Sequence, residues 1–260
     1  MVDQALSSVT NFALGVLVAR SVSVREFAGF SLAYVAYVLC NGLVSALVSE
    51  PLIVRVGTLD DDDRASKIKA AHGTAFVLSL AIAVVVGGAG LALPTPVGPA
   101  LRILAVFLPG LLLQDVMRMT FFATGSPAKA TANDGVWAFW QAALIVPMVA
   151  MGTTSVTRLI GAWGAAAGLA ALFGLWQVRH LPSPNGTRSW LTGQRDLAVP
   201  FLGEFGLTTG AFQSTFYLLG LVGGLDLVAG LRGALMAANP LNILFLVVPP
   251  LAIPAAVRLR

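Results

Sequence analysis

"GTAFVLSLAIAVVVGGAGLALP", residues 73–94, carries no charged side chain over its whole length. An α-helix needs about 17 to 25 predominantly apolar residues to cross the hydrocarbon core of a bilayer. The rest of the 260-residue chain repeats the pattern, with 57% of residues hydrophobic, 11% charged and a mean hydropathy of +0.84. Soluble domains carry about 25% charged residues, so composition excludes one. The expected fold is all-α: a polytopic transmembrane helical bundle.

Eight spans are expected, at 4–20, 27–49, 73–94, 99–118, 135–152, 156–177, 199–221 and 226–250. Only two connections are long, "GTLDDDDRASKIKAA" at 57–71 and "RHLPSPNGTRSWLTGQRD" at 179–196. Lysine and arginine divide unevenly, eleven at the loops after even-numbered spans and five on the other face. The positive-inside rule therefore places both termini in the cytoplasm. The first segment has no basic leader and begins with Asp3, unlike a signal peptide. The net charge of +4 sits at span ends, which speaks for topology and against nucleic acid. The lone Cys40 excludes an internal disulfide.

Sliding the chain on itself aligns "EFAGFSLA" at 26–33 with "LVAGLRGA" at 227–234, and "PLIVRV" at 51–56 with "PAAVRL" at 254–259. These pairings set a six-helix lobe at 1–178, a cytoplasmic linker at 179–198 and an incomplete second lobe at 199–260.

The first span departs from a plain membrane anchor. At about 100° per residue, Asp3, Gln4, Ser7, Ser8, Thr10, Asn11 and Gly15 share one side. Polar groups in hydrocarbon require partners, so this stripe faces either other helices, as hydrogen-bonding glue, or a wet cavity. Arg20 projects away from it. In span 4, Pro109-Gly110 loosens the helix and Asp115 pairs with Arg118 one turn on; Pro147 and Pro240 interrupt spans 5 and 8. Glu50, Glu204 and Arg232 are ionisable groups at membrane depth, which are functional candidates. "GAAAG" at 164–168 and "GLVGG" at 220–224 have the spacing of close helix packing.

Several classes are excluded. His72 and His180 lie far apart in the sequence, no Cys/His pair exists, and "DDDD" at 60–63 lacks the glycine and glutamate of a calcium loop; it reads as a solvated turn. No glycine-rich nucleotide motif occurs, and external loops are too short for a catalytic site, so no cofactor and no enzyme activity are expected.

Four stretches, "DQALSSVTNFALGVLVARSVSVREFAGF" (3–30), "SEPLIVR" (49–55), "RMTFFATGSPAKATANDGVW" (118–137) and "LRGALMAANPLN" (231–242), resemble bacterial polysaccharide flippases of the multidrug/oligosaccharidyl-lipid/polysaccharide exporter superfamily. The resemblance implies twelve or more helices in two six-helix lobes around a cavity that opens alternately to either side of the bacterial cytoplasmic membrane. It implies a polyprenyl-pyrophosphate-linked glycan as the partner and substrate. Arg20, Arg55, Arg118 and Arg232 would contact its anionic head group, and Asp3, Asn11 and Glu204 would line the cavity. Only two helices of the second lobe are present, so a truncated chain, a separately encoded remainder or a homo-oligomer is expected. Two other readings stay open: a cation-coupled multidrug exporter of the same superfamily, and a non-transporting membrane scaffold or partner subunit.

Overall fold

The computed structural model describes the backbone of residues 2–56 and 61–258 and the side chains of 12–56 and 63–238. Asp3 and Asn11 have side chains outside the described residues, as does most of the polar stripe. The chain is all-α, with no strand among the described residues. Helix α1 (Val2–Ser21) turns into α2 (Val24–Val44), whose Ser23 cap accepts from the Glu26 N–H. A five-residue π-turn, Ser45–Ser49, joins α2 to α3 (Glu50–Val56) in one continuous rod. Then come α4 (Asp61–Ala92), α5 (Val97–Ala123), α6 (Pro127–Ala150) and α7 (Val156–Val178). A linker holding the short α8 (Thr187–Gly193) leads to α9 (Arg195–Phe205), a second π-turn at Gly206–Gly210, and α10 (Ala211–Arg258).

Five helical segments among the described residues are long and apolar enough to cross a membrane: Val24–Val56, Asp63–Ala92, Val97–Ala123, Val156–Val178 and Arg195–Ala238, the last interrupted at Gly224. This identifies a membrane protein. Large apolar side chains such as Val84, Val85 and Leu91 on α4 lie open on the outer surface, where lipid would cover them. Helix α6 falls outside this set because it carries Asn133, Asp134 and Gln141, all buried against its neighbours.

Three expectations are corrected. Within the 57–71 connection, α4 already begins at Asp61. Its acidic residues occupy the first turn, where the helix dipole favours them, and "ASKIKAA" is strongly helix-forming. Helix α6 begins at Pro127, eight residues before the expected span, with proline in the first turn where its missing N–H costs nothing. The 179–196 linker is partly helical, with α8 and a 3₁₀ turn at Pro184–Gly186.

Helix α10 doubles back. The Tyr217 hydroxyl donates to the Leu32 carbonyl at 2.9 Å, and the Arg232 guanidinium lies 4.6 Å from the ring centre of Tyr34. In a straight helix positions 217 and 232 would be about 22 Å apart, yet their contacts are two residues apart on α2. The reversal is at Gly224, with φ 77° and ψ −178°, a backbone conformation that essentially only glycine adopts. "GLVGG" is therefore a chain reversal as well as a packing motif. "GAAAG" does pack closely: a Cβ on Gly164 would overlap the Phe107 ring, and one on Gly110 would press on Gly168. Helix α5, sandwiched by α4 and α7, forms the centre of the molecule.

Candidate functional site: a cavity between two π-turns

The two π-turns face one another. A cavity of about 440 Å³ opens between them, walled on one side by Gly42, Ser45, Ala46 and Glu50 and on the other by Phe201, Glu204, Phe205, Thr208 and Thr209. Gly42 permits the approach, because a Cβ there would collide with the Phe205 ring. Each π-turn has a local cause. Pro51 follows the first and has no N–H to continue an α-helical ladder. In the second, glycines stand at both ends and the Thr208 hydroxyl donates to the Glu204 carbonyl at 2.7 Å, an i−4 back-bond that bends helices. Single-turn π segments inside α-helices are frequent at functional sites.

The chemistry of the cavity is acidic and hydroxylic. Ser45 Oγ donates to Glu50 Oε1 at 3.5 Å, and Glu204 is exposed to the opening. Roughly one and a half turns below Glu50 on the same rod, Arg55 meets Asp196 of α9 at 2.6 Å. A smaller cavity of about 120 Å³ adjoins this pair, lined by Leu52, Arg55, Lys67, Trp190 and Gln194. The indole Nε1–H of Trp190 donates to the Leu47 carbonyl, inside the first π-turn, at 3.1 Å.

The other site candidates go elsewhere. Arg118 is enclosed between α5 and α6, 2.8 Å from Asp115 and 3.8 Å from Asp134. The Asp115–Arg118 pair expected from the sequence is thus present, but within a larger network. Gln114 donates to Asn133 at 2.8 Å and to Asp134 at 3.3 Å, and Asn133 donates to the Ala170 carbonyl and to Gln177. Arg232 stacks on Tyr34 at the end of an aromatic row that includes Tyr37 and Trp163. Arg20 is exposed in the last turn of α1. The four arginines do not converge; of the described candidates Glu204 lines the cavity between the π-turns, and Arg55 lines the smaller one beside it.

Sequence reasoning missed the two π-turns, Trp190, and the pairing of His72 with His180. Although far apart in the chain, these rings stack with centroids 5.0 Å apart and planes at 23°. Thr120 Oγ1 donates to the Val116 carbonyl, so it accepts from His72 Nε2–H at 2.9 Å; His72 Nδ1 has no hydrogen-bond partner among the described residues. Burial pushes the pKa of His180 below the usual 6.5, opposed in part by a hydrogen bond with the Leu181 backbone and aided by the nearby Lys69 charge. Histidine pairs of this kind form across a linker and leave no local pattern. Among the described residues no group of three or more metal-binding side chains occurs.

No protein-family model, curated protein or solved structure matches the chain.

Proposed function

We propose that the protein is a transporter of lipid-linked oligosaccharide, a flippase for polysaccharide precursors that works by alternating access in the bacterial cytoplasmic membrane, with both termini cytoplasmic. The observation that carries the reading is the cavity between the π-turns. It lies where the α9–α10 unit meets α2–α3, and both walls are interrupted helices of the kind that line substrate sites in transporters. Carboxylates and hydroxyls suit the hydroxyls of a sugar. Arg55 and Lys67, which line the smaller cavity farther along the same rod, supply cationic groups for a pyrophosphate, a geometry that arginine serves well. The resemblance of the quoted stretches to polysaccharide flippases supports the same substrate class, and no enzymatic step is part of the proposal.

The test is reconstitution of the full chain into vesicles carrying a fluorescent polyprenyl-pyrophosphate saccharide in one leaflet. Transfer to the other leaflet is expected, reduced at least tenfold by Glu204→Gln and by Arg55→Glu at equal protein level. Transfer no faster than in empty vesicles removes the reading. A second reading, a cation-coupled multidrug exporter, is favoured by one observation: Glu50 and Glu204 line the same cavity. It predicts export of organic cations that collapses with the sodium or proton gradient.

A further inference from the structure

Pro51 leaves a gap in the helix that carries Glu50. In an α-helix the carbonyl of Leu47 would accept from the N–H of residue 51, and proline has none. The chain passes this point by widening into the π-turn, where the Glu50 N–H reaches back five residues to the Ser45 carbonyl. The Leu47 carbonyl takes its hydrogen bond from Trp190 Nε1, 143 residues along the chain, at 3.1 Å. Trp190 is 2% exposed and is the one buried residue of α8.

We infer that Trp190 is a positioning residue for the cavity: it supplies the donor that Pro51 lacks, fixes the register of the π-turn and thereby sets where Glu50 points. A buried carbonyl without a donor is costly in a low-dielectric interior. An indole is a donor with no acceptor function and a large apolar body, suited to a pocket that is dry except for one oxygen. Relaxing a π-turn to α-helical register re-phases everything beyond it by one residue, about 100° of rotation. Glu50, the first residue beyond the turn, would move off the cavity wall.

The linker is held along its length. His180 stacks on His72, the Ser183 backbone lies against Gly73, and Gly186 lies against Ala70. Undocking of the linker would thus reach the π-turn itself through the Trp190 hydrogen bond, and the rod beyond it through the Arg55–Asp196 pair. The inference rests on the proposed function only in making Glu50's placement matter for transport.

A double-mutant cycle on the full chain, purified in detergent, tests it. Trp190→Phe keeps an aromatic body and removes the donor; Pro51→Ala restores an N–H at position 51. In the native background Trp190→Phe should lower Tm by roughly 3 °C, the size expected for one lost hydrogen bond with some packing. In the Pro51→Ala background the loss should be less than half as large. Maleimide labelling of Glu50→Cys, in a Cys40→Ser chain, should change several-fold on Trp190→Phe. Equal losses of Tm in the two backgrounds, or unchanged labelling, overturn the inference. Should Trp190→Phe yield protein only together with Pro51→Ala, that rescue meets the expectation, and failure in both backgrounds overturns it. None of these readouts uses transport, so the flippase reading can fail while they stand, and the reverse.

Discussion

The interior of α5–α7 and the wall shared by α2–α3 and α9 each hold carboxylates and an arginine, and they treat them oppositely. In the first, Asp134 is 4% and Arg118 18% exposed at the side chain, and Asp115, Gln114, Asn133 and Gln177 complete a network. In the second, the Arg55–Asp196 pair is 41% and 64% exposed, and Glu204 faces an open cavity. A charge that is enclosed and fully engaged holds helices together. One that is left facing a cavity is available to something else.

Breaking the enclosed network should have the largest effect. Arg118→Ala strands two carboxylates at low exposure, and removing one partner of a buried ion network costs about 3–5 kcal/mol. Loss of a monodisperse peak in size-exclusion chromatography in detergent is expected; a variant as stable as the parent would make the network dispensable. Asn133→Leu, which removes donors to the Ala170 carbonyl and Gln177, should cost about 1–3 kcal/mol, read as a lowered midpoint in thermal unfolding.

Acidification should weaken the linker's dock next. The pKa of His180 lies below its ordinary value in the folded chain, so the unfolded chain takes up the proton first. The stability it contributes is present above about pH 6.5 and is lost as pH falls below that value. On this ring act the stacked His72 and the cation of Lys69, both on α4; Thr120 of α5 meets only His72. The thermal midpoint of the wild type should therefore drop more between pH 7.5 and 5.5 than that of His180→Gln, and parallel curves would refute the role. Smallest of all, Glu204→Gln should change stability by less than about 0.5 kcal/mol, as exposed substitutions do, while reducing transfer of the labelled lipid. A large stability loss there would erase the contrast between the two regions.

Much of the fold was legible because a bilayer imposes length and composition on each helix. The runs at 27–49, 99–118 and 156–177 fall inside the described rods, and Asp115–Arg118 was readable as neighbours one turn apart. The ends of helices were less so. Nothing in hydropathy tells that "DDDRASKIKAA" continues the apolar run after it, since propensity and dipole act where hydrophobicity is silent. Asp134 joining Arg118, His180 reaching His72 and Trp190 reaching Leu47 each depend on which helices touch. The π-turns carried a faint sequence mark, Pro51 just after one and Gly206 with Gly210 in the other, but a proline or glycine in an apolar run more often signals a simple kink. Of the candidate site residues, Glu204 lines the larger cavity and Arg55 the smaller because two distant segments meet, which no single-segment reading contains.

The reversal at Gly224 has a consequence for how the protein is made. Residues 211–223 and the arm carrying Arg232 and Met236 are joined by one residue, with no loop between them. Such a pair has no slack for one helix to settle in lipid while the other waits outside. The two arms would have to leave the ribosome and partition into the bilayer as a closed hairpin, each shielding part of the other on entry.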